Sequence, residues 1–174
     1  MLLDASLFAL GMFAWTFLEY VIHGVLSHRY RTFATPLHDV HHRDPHAVFT
    51  VGAWIPTFIV WSAGCLLFGW SRPMVFVSGV LAGFIAYEAI HYRFHFSRPA
   101  SDLERRLRAR HLAHHFRAPE QIHGVTSPLW DRVFGTEPDA DRMRELAAPM
   151  AAVVPLSGHS NARYLLRFGT RGQR

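Results

Sequence analysis

The chain has 174 residues, enough for one domain, and half of them are hydrophobic although the mean hydropathy is only +0.08, because the apolar residues come in blocks. A net charge of +5 and a pI of about 10.1 come without any recognition motif of basic residues interleaved with aromatics, so nucleic acid is not an expected partner. Cys65 is the one cysteine, which excludes a disulfide framework and excludes sulfur ligation as the main metal chemistry.

The first apolar block, uncharged from Ala5 to Leu18, predicts a span over roughly residues 5–27 that ends near Gly24. Asp4 precedes it and no Lys or Arg does, so it reads as a retained span rather than a cleaved signal peptide. A polar loop with Pro36 follows. No charged side chain then occurs from Ala47 to Trp70, which predicts a second span over about 47–70, with Pro56 inside it as membrane helices tolerate. Ser71-Arg72-Pro73 reads as the turn of a tight helical hairpin, and a third span follows over about 73–96. Each block approaches the ~20 residues that cross a bilayer as a helix. Core helices of a soluble all-α protein would need more polar face than three such blocks leave.

Arg29, Arg31 and Arg43 lie between the first two spans, the dense run from Arg98 to Arg117 follows the third, and only Arg72 sits between. The positive-inside rule then places residues 28–46 and everything after about 96 in the cytoplasm, with the amino terminus outside. Juxtamembrane arginines facing anionic headgroups account for the net charge. After the third span, Ser101 with Glu104 three residues on reads as a capping box, opening a helix that carries Leu103, Leu107 and His111 at four-residue spacing. Residues 120–136, with Gly124, Pro128 and Gly135, read as loop. Residues 137–174, ending in Arg163, Arg167, Arg171 and Arg174, read as a flexible tail on the membrane surface that carries no chemistry. The expected fold class is therefore an all-α integral membrane protein with about three transmembrane helices, residues 1–136 forming the functional domain and 28–46 with 97–136 a cytoplasmic helical cap.

Histidine is the residue that stands out. Of the thirteen, ten form four groups: His23 and His28; His38, His41 and His42; His91 and His95; His111, His114 and His115. Residues four apart share a helix face, so His91 and His95 point together. In the H-x-x-H-H pattern of 111–115 the three side chains fall within a sector of about 100° and can aim at one cavity; 38–42 can do the same if it is helical. His23 and His28 diverge by roughly 140° on an ideal α-helix, so either the helix loosens near Gly24 or the two serve different metals. The groups also form a rough repeat: Glu19-Tyr20-Val21-Ile22-His23 answers Tyr87-Glu88-Ala89-Ile90-His91, each followed by a second histidine and then H-x-x-H-H. Two half-sites of five histidines suit two metal ions better than a single zinc with about four ligands. Imidazole serves Fe, Cu, Ni or Zn, so ligand type alone does not choose the metal. Carboxylates within spans are functional candidates. Glu19 and Glu88 either orient an imidazole N–H or make an interface ion pair with Arg93 or Arg29.

At these residues the sequence resembles the fatty acid hydroxylase superfamily, which also contains sterol desaturases, and its look is nearest to the fatty acid 2-hydroxylases. The resemblance runs from Trp15-Thr16-Phe17-Leu18-Glu19-Tyr20 through the four histidine groups to Gly124-Val125-Thr126-Ser127-Pro128-Leu129-Trp130-Asp131-Arg132-Val133-Phe134-Gly135-Thr136, and covers about residues 7–136. It implies a di-iron centre (zinc can stand in on isolation) that uses O2 and two electrons to hydroxylate the acyl chain of a membrane lipid. Relatives can carry a fused haem domain for electron transfer; here a separate electron-transfer protein is expected, and with the orientation read from the arginines the expected place is a bacterial inner membrane with the site on the cytoplasmic side. Asp131 and Trp130 are expected to fix the closing loop beneath the site. His123 stands where relatives carry an aromatic residue and is a candidate outer partner of the ligands. Sterol- or carotenoid-type oxidation is the alternative within the superfamily. A non-catalytic membrane metal-binding or transport protein is the alternative from another class; a transport path needs ionisable residues near mid-bilayer, whereas these histidines gather at one end of the spans.

Overall fold

A computed structural model describes residues 1–30, 32, 35–48, 51–153 and 155, without the side chains of 51–54. His159 and the arginines from Arg163 to Arg174 lie outside the described residues, and so does the surface tail expected there. The described residues form helices and no strand. Helix α1 (Leu2–Tyr20) runs on into a π-helical stretch over Val21–Arg29; α2 (Thr35–Arg43), α3 (Val51–Leu67), α4 (Ser71–Phe96), α5 (Asp102–Phe116), α6 (Leu129–Phe134) and α7 (Ala140–Ala151) follow. Two of these, Leu2–Arg29 and Ser71–Phe96, are long and apolar enough to cross a membrane. At 17 residues, α3 is shorter than the ~20 of a full span.

Helices α1 and α4 pack along their length because glycines let the backbones close. A Cβ on Gly79 would run into the Phe8 carbonyl, and one on Gly11 into the Phe76 carbonyl. Close approach at small residues is how membrane helices gain contact area, since lipid tails offer no hydrophobic drive. Below this contact Trp15 meets Phe84 edge-on at 5.0 Å, and Phe58 of α3 stacks on Phe84 at 5.8 Å. The hairpin turns earlier than Ser71-Arg72-Pro73. Gly69 takes φ +66°, where a side chain would be strained, and α4 starts at Ser71, so Pro73 falls in its first turn, where its missing N–H is not needed.

Ser101 caps α5, its hydroxyl accepting from the Glu104 N–H at 3.1 Å. The Glu104 carboxylate takes the Ala100 N–H at 2.6 Å and Arg93 Nε–H at 2.8 Å, which ties the end of α4 to the start of α5. Buried Arg108 donates to the Phe94 carbonyl at 2.7 Å and to the Val153 carbonyl at 2.9 Å.

Two expectations are corrected. Residues 140–151 are not a flexible tail: α7 is capped by Asp139, and its Leu146 and Met150 complete a core with Ala109, Leu112, Ala113 and Ile122. The four-residue step from Leu146 to Met150 marks that face, although Pro149 inside the helix masks it. Within the expected loop 120–136, residues 129–134 are helical and end at Gly135 with φ +72°.

Replacing Gly79 by Val should lower thermal stability in detergent by roughly 1–3 kcal/mol, the range for overpacking. Gly64→Ala, where a Cβ meets nothing within 4 Å, should leave stability unchanged or raise it by up to about 1 kcal/mol. Helical circular dichroism melts of the two variants test this.

Candidate metal centre

The four histidine groups converge at the C-terminal ends of α1 and α4. They divide into two sets whose donor atoms all lie within 4.8 Å of one another: His23, His28, His38, His42 and His114; and His41, His91, His95, His111 and His115. The π-helical stretch brings His23 and His28 together. Wound i to i+5, it places residues five apart on one face, so the helix does loosen where Gly24 sits. Helix α2 presents 38–42 in the same way that α5 presents 111–115.

The sets are not the two halves of the sequence repeat. His41 joins the second set and His114 the first. Adjacent residues on a helix point about 100° apart, so the two histidines of an H-H pair cannot both face one ion. His41 and His42 therefore diverge, as do His114 and His115, and each helix reaches both sets.

Within the sets the ring nitrogens crowd together at hydrogen-bond distance. His114 Nε2 has His23 Nε2 at 3.0 Å, His28 Nε2 at 3.1 Å and His42 Nε2 at 3.2 Å. His28 and His38 Nε2 are 2.7 Å apart, His41 and His115 Nε2 3.1 Å, and His95 and His111 Nε2 2.9 Å. The tautomers of two rings are set by their far sides. His23 Nδ1–H donates to the His123 carbonyl at 2.6 Å, and His114 Nδ1–H donates to the Gln121 carbonyl at 2.7 Å. A neutral imidazole carries one proton, so Nε2 of both rings is bare and two lone pairs face each other at 3.0 Å.

Protonation does not relieve this. Burial holds His41, His111, His114 and His115 well below the usual imidazole range, with the charge of neighbouring histidines adding to it. Burial likewise brings His42 down to about 4. A cation between the rings does relieve it. Donors about 2.0–2.1 Å from one ion and at right angles to each other stand about 3 Å apart. Both ring nitrogens of His91, and Nδ1 of His41, His95 and His115, are buried without a hydrogen bond among the described residues. The histidine sets can thus hold metal ions, and their all-nitrogen donors suit iron, copper, nickel or zinc.

The outer partners differ from expectation. Glu19 neither orients an imidazole directly nor pairs with Arg93 or Arg29. Its Oε1 accepts from the N–H of Val125 at 2.6 Å and of Thr126 at 2.9 Å, and its Oε2 from the Thr126 hydroxyl at 2.6 Å. Asp131, fully buried, does fix the closing loop. Oδ1 accepts from His123 N–H at 2.8 Å and Thr136 Oγ1–H at 2.7 Å, and Oδ2 from Gly124 N–H at 2.9 Å with Arg110 at 3.5 Å. Arg110 is in turn held by both carboxylate oxygens of Glu137 at 2.6 and 2.7 Å. Glu88 is buried one turn before His91. His123 belongs to neither set of five, but its ring packs on Gly24, where a Cβ would stand 2.7 Å from it, and its carbonyl holds His23. Between the two ligand-holding carbonyls sits Ile122 at φ +63°, a left-handed conformation that costs a β-branched residue energy. That twist aims Gln121 and His123 at different ligands. Gln121, Ile122, Thr126 and Arg110 carry no metal-ligand chemistry; place in the closing segment alone marks the first three, and Arg110 of α5 is marked only by lying one residue before His111.

Residues 8–136 match the family model for fatty acid hydroxylase. The chain is 34% identical over 141 residues to dihydroceramide fatty acyl 2-hydroxylase FAH2 of Arabidopsis thaliana, an alignment that covers 75% of this chain and 60% of that protein. It is 31% identical over 149 residues to fatty acid 2-hydroxylase of Mus musculus, covering 75% and 39%. A solved structure of full-length scs7p, with only the hydroxylase domain visible, superposes with a TM-score of 0.66 at 29% identity, covering 90% of this chain and 60% of that one. The chain therefore spans 60% or less of these three proteins.

Asp131→Asn puts an amide NH2 against the N–H of either His123 or Gly124 and removes the charge facing Arg110. It should cost about 3–5 kcal/mol, as breaking a buried pair does, and show as a lowered unfolding midpoint with loosened metal binding.

Proposed function

This chain belongs to the fatty acid hydroxylase family, and on that footing we propose that it is a membrane hydroxylase acting on the acyl chain of a lipid. Two metal ions, iron in the working enzyme, would be held by the ten clustered histidines, one by each set of five. The observation that carries this reading is the pair of bare Nε2 atoms of His23 and His114 at 3.0 Å, which only a shared cation makes favourable. Iron bound there would supply the redox chemistry that activates O2 for insertion into an aliphatic C–H bond. The net reaction joins the C–H compound, O2, two electrons and two protons to give the alcohol and water. The electrons come from an electron-transfer protein.

The chain's own residues do the positioning. The carbonyls of His123 and Gln121 lock the tautomers of His23 and His114, so both present a lone pair whenever the site is filled. The Glu19 and Asp131 straps keep those carbonyls in place against thermal drift. On the span side, Trp15 packs 5.8 Å from Tyr87, and Tyr87 lies 5.4 Å from His91, an aromatic wall on the hydrocarbon side of the site. Arginines gathered after the first and third spans support a cytoplasmic site with the amino terminus outside. The hydroxylase domain is residues 1–136, with α7 bracing α5 from below. A carrier of metal would need donors that let go, and rings fixed by backbone carbonyls suit a resident ion better.

Purified full-length chain should hold two tightly bound ions, falling to one or fewer in His41→Ala and in His114→Ala. Activity in both should drop by more than the roughly 10–100-fold that loss of an outer partner costs. Cells expressing the chain should gain one lipid class heavier by a single oxygen atom on its acyl chain, read by lipid mass spectrometry. An unchanged lipid profile with iron, oxygen and reductant supplied would refute the hydroxylase reading.

A further inference from the structure

Helix α6 does not sit over the histidines. It lies along the side of α1. Trp130 Nε1–H donates to Thr16 Oγ1 at 2.9 Å, and the Trp130 ring meets Phe17 at 4.9 Å and Phe13 at 5.9 Å. Phe134 stacks on Tyr20 at 5.1 Å. Residues 13, 16, 17 and 20 form one stripe of α1 at helical spacing, while Gly11 and Trp15 face α4 on another side.

That stripe is at bilayer depth wherever the membrane boundary falls. A span needs about 20 residues, and every window of about 20 within Leu2–Arg29 includes residues 13–20. The outward surface of α6 matches such a depth: Leu129 is 39% exposed, Val133 59% and Phe134 53%. It continues the exposed apolar side of α1 at Phe13 and Phe17. Arg132 is the charged residue on that side, and a long arginine side chain can reach back to the headgroups.

A second observation is independent of exposure. Irregular backbone survives within a membrane only if its polar groups are bonded inside the protein. The five consecutive N–H groups from Ile122 to Thr126 are all so bonded: Ile122 to the Thr136 carbonyl, His123 and Gly124 to Asp131, Val125 and Thr126 to Glu19. Two buried carboxylates do here what water does for an ordinary surface loop.

We propose that residues 122–136 form a re-entrant segment seated in the acyl region of the bilayer against α1, with lipid chains covering the outward face of α6, rather than part of a cytoplasmic cap. Lipid on Phe134 is then separated from the ligand His23 by two rings, because Tyr20 stacks on Phe134 on one side and meets His123, at 5.9 Å, on the other, and His123 in turn lies 5.9 Å from His23. The proposal rests on the membrane reading above, and the experiment separates the two.

With Cys65, the one cysteine, replaced by Ala, single cysteines at Val133, at Leu10 on the exposed side of α1 and at Glu145 on α7 carry an environment-sensitive fluorophore. Each full-length variant, checked for unchanged metal content, is reconstituted into phosphatidylcholine–phosphatidylglycerol vesicles. Val133 should match Leu10: blue-shifted emission, quenching by doxyl-labelled lipid several-fold stronger than at Glu145, and little quenching by iodide. Iodide-accessible emission at Val133 with lipid quenching at Leu10 overturns this proposal and spares the membrane reading; aqueous emission at both overturns the two together. Blue-shifted emission at Val133 without lipid quenching means that protein, such as a second copy of the chain, covers α6, and also overturns it.

Discussion

Bare imidazole nitrogens pointing at one another are the constraint on which the rest of the structure depends. His23 and His114 each commit the Nδ1–H to a hydrogen bond with a backbone carbonyl, so their Nε2 lone pairs meet at 3.0 Å with no proton to share. In water such rings would rotate away or take up protons. Here they are buried, and burial also keeps those outside the spans from charging. The arrangement is favourable with a cation at its centre and unfavourable without one, which links metal binding to folding of the C-terminal ends of α1, α2, α4 and α5.

Holding ten rings against that repulsion falls to the closing segment. Asp131 and Glu19 gather four successive N–H groups and thereby fix the left-handed turn at Ile122 that aims two carbonyls. Glu19 comes from α1, Asp131 from α6 and Arg110 from α5, so one small network joins α1, the ligand helix α5 and the closing segment. Below it, Leu146 and Met150 of α7 close the core under α5.

Much of the site was legible because chemistry-bearing residues recur at helical intervals. The spacing of His91 with His95, and of the two H-x-x-H-H groups, shows a shared cavity from the sequence alone. What spacing could not show is which ring joins which set. Assigning His41 to the first half follows the repeat, yet two neighbouring helical positions diverge too far for one ion, and the exchange of His41 with His114 follows from that angle. The loosening at Gly24 was one of two readings of the five-residue step; a π-helical winding decides between them because it alone puts His23 and His28 on one face. Glu19 was misread because its partners are backbone N–H groups 106 and 107 residues away, and backbone donors leave no mark in side-chain patterns. Ile122 was invisible for a related reason: a β-branched residue argues against the left-handed turn it adopts. The apolar blocks placed α1 and α4 well, while α7 was missed because Pro149 and a charged outer face obscure its two core residues.

X-ray anomalous scattering from the metal-loaded full chain, recorded on either side of the iron absorption edge, tests the central claim most directly. Two peaks are expected, one about 2.0–2.3 Å from ring nitrogens of His23, His28, His38, His42 and His114, the other equally close to those of His41, His91, His95, His111 and His115. A single peak, or two peaks with His41 on the first ion and His114 on the second, would contradict it.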